Sequence, residues 1–254
     1  VQVLADATAG SAHVKGSWVL SGRCPTDFNA DGFSINFLGD NIVADFLVDI
    51  ALGDGQENIV VSNLLYTSGV GFNSLQELFF PIAVPANTAM SMRVQSTDGG
   101  ALFSAGNWTM HRGEPYRSLH CRRSQTYGAN TGDSGGTQVD TSGVNQTYGA
   151  WVTIADPTID PIRFLHVCIG GQNNATRADG DHYFDVGYGQ PGSEVVLVGT
   201  QYFRQVADTD TLYPAHRSYL VNIPAGQRLA IRQRSGVLDA TDRLVDFSIV
   251  AFGP

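Results

Sequence analysis

Lysine is nearly missing from this 254-residue chain, occurring once, at Lys15, and glutamate occurs only at Glu57, Glu77, Glu114 and Glu194. Both residue types favour helices, whereas the plentiful aspartates bond to nearby backbone amides and favour turns, so the shortage argues against a helical protein. Charge of either sign is scarce, at 15% of residues, against about a quarter in an average chain. No basic run is longer than Arg122-Arg123 and the formal net charge is −9, which excludes the basic stripe of a dedicated nucleic-acid binder. An acidic, lysine-poor surface is equally unsuited to anionic membranes. No apolar run approaches the roughly 20 residues that span a bilayer, so no membrane insertion is expected. No signal peptide is visible, and a start at Val1 leaves room for a removed leader.

Cysteine is also rare. Cys24, Cys121 and Cys168 form no CxxC pair and are too few and too spread for a disulfide framework, so they read as buried free thiols. The six histidines lack metal-ligand spacing. Neither a P-loop, a zincin motif, a nucleophile elbow nor a dinucleotide fingerprint occurs. No cofactor and no enzyme activity are expected from motifs of this kind.

What remains is 43% hydrophobic residues and 29 glycines, enough to bury cores between many turns. An internal repeat organises them. Gly16-Ser17-Trp18-Val19 recurs as Gly149-Ala150-Trp151-Val152, an offset of 133. Asp49 to Gly53 recurs as Asp185 to Gly189 at 136, and Leu65-Tyr66 as Tyr202-Phe203 at 137. Val84-Pro85-Ala86-Asn87 recurs as Ile223-Pro224-Ala225-Gly226 at 139, followed by Arg93 and Arg232, Ser96 and Ser235, and Trp108 to Met110 against Phe247 to Ile249. The offset only grows, as a duplication with small loop insertions requires. The proline segment reads as a turn, and the strand after it alternates: Met90, Met92 and Val94 face one way in the first copy, Leu229 and Ile231 in the second.

Short strands between Gly, Asp, Asn and Pro clusters predict an all-β chain: two tandem β-sandwich, jelly-roll-like domains related by internal duplication. The expected layout is an N-terminal arm over 1–10, a first sandwich over 11–112, a Gly/Ser/Thr-rich linker over 113–146 and a second sandwich over 147–254. One short helical turn is expected around Ser74 to Leu78.

Two motifs invite chemistry. Gly132-Asp133-Ser134-Gly135-Gly136 matches the nucleophile segment of chymotrypsin-like proteases, but His120 lies too close in sequence to leave room for a second barrel. A flexible turn is the reading kept. Asp27, Asn29 and Asp31-Gly32 fit the first half of a calcium loop, yet position twelve is Leu38 rather than a bidentate Glu. These three residues are a candidate calcium site, with Asp40 able to complete it, or an Asx-rich turn; Asp179-Gly180-Asp181 is the weaker counterpart. Trp151, Tyr183, Tyr188 and Tyr202 are either sheet-face residues or sugar-stacking rings. Three glycosylation sequons, at Asn107, Asn145 and Asn174, are read as coincidental.

The paired segments Val84 to Ser96 and Ile223 to Ser235 resemble a repeat found in structural proteins of tailed bacteriophages and gene transfer agents. The second copy departs from the first at Gln233-Arg234, where the first has Val94-Gln95. The resemblance implies a non-enzymatic virion surface protein: a head fibre or spike, a decoration or a tail-associated protein, contacting other virion proteins, forming homo-oligomers such as trimers, and holding a host surface glycan. Two rivals stay open, a secreted carbohydrate-binding or carbohydrate-active jelly-roll protein and a double jelly-roll capsid protein.

Overall fold

Side chains that alternate between faces force each strand of this chain to be covered on at least one side, and two sandwiches do the covering. The computed structural model describes residues 5–39, 44–53, 58–68, 76–113, 119, 121–172, 180–206, 211–213, 216–236 and 244–254. The first sandwich holds β1 (Ala5–Thr8), β2 (Val19–Arg23), β3 (Gly32–Gly39), β4 (Ala44–Leu52), β5 (Asn58–Ser68), β6 (Gln76–Phe80), β7 (Ala89–Ser96) and β8 (Leu102–His111). Its two sheets run β1-β8-β3-β6 and β2-β7-β4-β5.

The second holds β9 (Arg123–Tyr127), β10 (Thr137–Val139), β11 (Val152–Ala155), β12 (Ile162–Gln172), β13 (Gly180–Tyr188), β14 (Val195–Val206), β15 (Thr211–Tyr213), β16 (His216–Ile223), β17 (Leu229–Ser235) and β18 (Val245–Gly253). Its sheets run β10-β18-β12-β16 and β11-β17-β13-β14-β15, with β9 also beside β18. Matching β1 to β5 with β10 to β14, and β6 to β8 with β16 to β18, turns one order into the other, and β9 and β15 are additions of the second sandwich. Two jelly rolls related by duplication is therefore the fold.

The backbone repeats as closely as the order. Left-handed residues recur at His13 and Gln146, Asn63 and Thr200, and Asn87 and Gly226, at the same offsets of 133, 137 and 139 that the side chains gave. The inward rows Phe33, Ile35, Phe37, Phe46, Val48, Ile50, Met90, Met92 and Val94 fill the first core. Leu165, Val167, Ile169, Phe184, Val186, Leu229, Ile231, Phe247 and Ile249 fill the second. Each such side chain contributes about 1.5–3 kcal/mol by leaving water.

The two sandwiches are not hinged. The outward faces of β12 and β18 present Phe164, Cys168, Val250 and Phe252, and these join the first core. They cap the open side of the first sandwich beside its edge strands β5 and β6. His216 stacks on Tyr66 with ring centroids 5.3 Å apart and its Nε2–H donates to the Leu65 carbonyl at 2.8 Å. The His166 Nε2–H donates to the Phe79 carbonyl at 2.8 Å. Ser124 and Thr126 hydroxyls donate to the Val60 and Ser62 carbonyls.

Three expectations are corrected. Residues 5–8 of the expected arm are strand β1, with Ala7 fully buried; their small side chains hid the pattern. The expected linker over 113–146 carries β9 and β10, which line up along one edge of β18 as an interrupted strand, so the second sandwich begins well before residue 147. Its glycines serve close approach: a Cβ on Gly136 would sit 2.7 Å from the Phe247 carbonyl oxygen. The helical turn is replaced by β6 over Gln76–Phe80; Ser74 lies outside the described residues.

One buried node recurs on the outer face of each sandwich. Asp49 on β4 accepts hydrogen bonds from Lys15 Nζ, Arg93 Nε and the Asn63 N–H, each at 2.8 Å. Asp185 on β13 accepts from Arg232 Nε and Nη2 at 2.9 and 2.7 Å, the Thr200 N–H at 2.7 Å and the Tyr148 hydroxyl at 2.9 Å. In both copies the register of the neighbouring strand shifts opposite the aspartate, a β-bulge that aims the left-handed residue's N–H at the carboxylate. Arg93 stacks on Trp18 at 4.6 Å and Arg232 on Trp151 at 4.5 Å. Asp185→Ala leaves Arg232 and the Thr200 N–H without their acceptor and is expected to cost about 3–5 kcal/mol in urea unfolding. Adding Arg232→Met should recover part of that loss; strictly additive costs would show that the pair does not act as a unit.

Candidate functional site

The node of the second sandwich extends into a stacked row across the outer face of β17, β13 and β14. Side chains at alternate positions of each strand share this face. Arg232 lies between Trp151 and Tyr148, at 4.5 and 4.4 Å from their ring centroids. Arg234 lies between Tyr148 and Tyr183, at 5.0 and 4.8 Å. Tyr183 then meets Tyr202, centroids 5.6 Å apart and planes inclined at 56°. Tyr202 is 39% exposed. Its hydroxyl donates to Asp181 at 2.9 Å, and Arg204 Nη1 pairs with the same carboxylate oxygen at 3.1 Å. Arg217 Nη2 donates to the Tyr202 carbonyl at 3.0 Å. Each guanidinium–ring contact is worth about 0.5–2 kcal/mol, more where water is excluded. Burial first, then Asp185, pushes the Tyr148 hydroxyl up, so it stays protonated and donates.

Of the four aromatic residues singled out from sequence, the structure brings Trp151, Tyr183 and Tyr202 onto this face, while Tyr188 packs against the second core. Of the arginines between them, Arg232 was marked in the sequence by its match to Arg93, and Arg234 by the departure at Gln233-Arg234.

The same positions in the first sandwich are covered. Gln95, equivalent to Arg234, donates Nε2–H to the Thr131 carbonyl at 3.0 Å and the Ser134 hydroxyl at 3.1 Å. Leu65, equivalent to Tyr202, and Leu47, equivalent to Tyr183, are fully buried. Over Gln95 lies the loop between β9 and β10, which carries Gly132 to Gly136. Ser134 is fully buried in a left-handed conformation, with φ at 63°, and its hydroxyl also meets His13 Nδ1 at 3.1 Å. A histidine from the first sandwich thus reaches the serine, a contact that no local spacing could have suggested. The motif is a wedge between sandwiches rather than a free turn. His120 lies outside the described residues.

Two of the candidate calcium residues spend side-chain oxygens on backbone amides. Asn29 Oδ1 accepts from the Ala86 N–H at 2.8 Å and Asp31 Oδ2 from the Gly113 N–H at 2.7 Å, while Asp27 is exposed. Asp40, Asp179 and the Asn174 sequon lie outside the described residues. Among the described residues no group of three or more His, Cys, Asp or Glu is placed to hold a metal ion. All three cysteines are free and buried. Burial pushes the Cys121 thiol up to about 11 and that of Cys168 up to about 12.

No family model and no curated protein matches the chain. Among solved structures it is similar to PNGase F, a glycosylasparaginase from Flavobacterium meningosepticum, at a TM-score of 0.41 and 12% identity over 99% of this chain and 94% of that one. It is also similar to the N-terminal CBM22-1–CBM22-2 tandem domain of Xyn10C from Paenibacillus barcinonensis, at 0.26 and 11% identity over 96% and 98%. At these scores neither likeness bears on what this chain does.

Titratable groups at the wedge and the interface pull in opposite directions. Burial holds His166 down to about 3 and His216 to about 4, against an ordinary 6.5. The stability they carry is complete above 6.5 and falls as pH drops, because the unfolded chain then binds more protons. Asp246 takes the Gly136 N–H at 2.9 Å; burial, then the charges of Asp45 and Asp133, push it up to about 7 from 3.8. Its share is complete at low pH and is lost as pH rises through that range. Asp246→Asn is therefore expected to steepen the rise of stability between pH about 4.5 and 6 by about 1.4 kcal/mol per pH unit. Urea unfolding across pH reads this directly, and an unchanged slope would rule out the proton on Asp246.

Proposed function

We propose that this chain is a non-enzymatic surface protein of a phage-like particle, with the first sandwich built into the particle and the second presenting its open outer face to a host glycan. The observation that carries the reading is the contrast between equivalent faces. The one on the first sandwich is closed: Gln95 bonds the chain's own loop, and Leu65 and Leu47 are fully buried. The one on the second leaves Tyr202 exposed beside a row of stacked arginines. Rings offering an apolar face and a polar edge suit sugars, which carry both kinds of surface.

Three further points support it. Jelly rolls recur in capsid and lectin domains, although a fold by itself does not assign a function. The segments Val84 to Ser96 and Ile223 to Ser235 resemble virion structural repeats. The shared core makes the pair a rigid spacer, which suits a protein that must hold a receptor site away from a particle. Such proteins assemble with closed symmetry, and a trimer or another homo-oligomer is part of the proposal.

Two measurements test it together. Immunogold labelling of particles from the source strain, viewed by electron microscopy, should place the protein on capsids or tails. A glycan array probed with the purified protein should show binding that Tyr202→Ala weakens at least fivefold. Label found only on soluble material, with retained glycan binding, would replace the particle reading by a secreted carbohydrate-binding protein. Closed shells formed by the chain alone would replace it by a capsid protein.

A further inference from the structure

We infer that the open face of the second sandwich selects acidic sugars, with Arg234 taking the anionic group and Tyr202 carrying the sugar ring. This rests on the attachment reading above and narrows its ligand.

The arginines of these sheets are mostly spoken for. Arg93 is paired with Asp49, Arg232 with Asp185, Arg228 with Glu194 and Arg204 with Asp181. Arg234 has no carboxylate partner among the described residues. Tyr148 and Tyr183 both lie against its guanidinium, at 5.0 and 4.8 Å, and its N–H groups bond in the guanidinium plane. There, Nη1 reaches the Gln146 carbonyl at 3.4 Å, and Nε is buried with no hydrogen-bond partner. A stacked guanidinium with free N–H edges is preorganised for the two oxygens of a carboxylate or sulfate, because stacking has already fixed its plane.

The duplication shows what such a position does when filled. Gln95 occupies the equivalent place and donates to two oxygens of the loop lying across it, the Thr131 carbonyl and the Ser134 hydroxyl. No described segment lies across Arg234 in that way. Replacing an amide by a guanidinium exchanges a neutral oxygen acceptor for a charged one.

Local charge agrees. The whole chain carries −9, yet the described residues of this face include Arg204, Arg232 and Arg234 against Asp181 and Asp185. Single-stranded nucleic acid also uses aromatic rings and arginine, but it needs a basic track for successive phosphates. Here one unpaired guanidinium sits beside one exposed ring, on a chain whose overall charge repels a polyanion. An isolated acidic sugar matches that pattern.

The test uses a glycan array in which uronate- and sialate-bearing glycans are each printed beside their carboxyl-reduced counterparts, with oligothymidylate as a further arm. The full-length protein should prefer the acidic member of a pair by at least tenfold. Arg234→Gln should abolish that preference, Arg234→Lys should keep part of it, and Arg123→Gln, a well-exposed control, should leave it intact. Thermal unfolding confirms that each variant is folded. Equal binding to acidic and reduced members overturns the acidic selectivity and leaves the attachment reading standing. Tighter binding to oligothymidylate overturns the sugar assignment. Binding to no glycan at all removes the attachment reading and the inference with it.

Discussion

A carboxylate that folding places on the outward face of a sheet, 2% exposed for Asp49 and 3% for Asp185, has lost its water and must be given donors. The penalty is several kcal/mol per ion unless geometry is good and every lone pair is met. In each sandwich this demand reaches into four elements. The aspartate sits on one strand, its cross-strand arginine on the next, and the bulge N–H on the strand opposite. A segment crossing the face supplies a third donor, Lys15 or Tyr148, and a tryptophan that lies on the arginine. One buried ion therefore sets the register of three strands and seats the crossing segment. A one-residue slip would turn the aspartate into the apolar core, so insertions between these positions are tolerated and shifts within them are not. That is why the offset between copies climbs in steps.

Around the fixed node the two copies have been free to diverge, and they diverge in complementary ways. The first carries Gln95, which the wedge loop covers, and Leu47 and Leu65, which are fully buried. The second carries Arg234, Tyr183 and Tyr202 at the same places and stays open. Small and neutral groups suit a face that must be dehydrated permanently, since an unpaired guanidinium there would cost more than packing returns. Arginine and tyrosine suit a face that remains wet at its rim. The site is thus explained by the same physics as the internal interface, with the opposite requirement on solvent.

Much of this was legible in the sequence. Trp18 and Trp151, the two proline turns and the alternation of Met90, Met92 and Val94 mark equivalent strands, because burial on one face imposes a period of two that survives divergence. The second copy's first strand was not legible. Its residues are small and polar because β9 and β10 run close against β18 and the wedge must fit between sheets, so Gly128 to Gly136 looks like a linker while acting as an interface. The Ser134–His13 contact joins positions 121 apart, and distance of that kind leaves no local trace. The Asp27 to Asp31 pattern is ambiguous for a related reason. Asp and Asn cap turn amides as readily as they bind ions, and Asn29 and Asp31 do the former.

The shared core decides what the two sandwiches can do as a pair. Phe164, Val250 and Phe252 are counted among the side chains of the first interior while their neighbours Leu165, Ile249 and Ala251 fill the second. Rotating one sandwich against the other would open both. A force applied at Tyr202 passes through β13 and β17 into the second core, across β12 and β18, and into β5 of the first sandwich without meeting a flexible segment among the described residues. The buried histidines add direction, since each spends its Nε2–H on a carbonyl of the first sandwich, Leu65 or Phe79. Acid that charges them loosens this joint, while the proton held by Asp246 works against that loosening. Two opposed titrations across one interface flatten its response to pH, which is the behaviour a rigid spacer requires and a pH-triggered hinge does not.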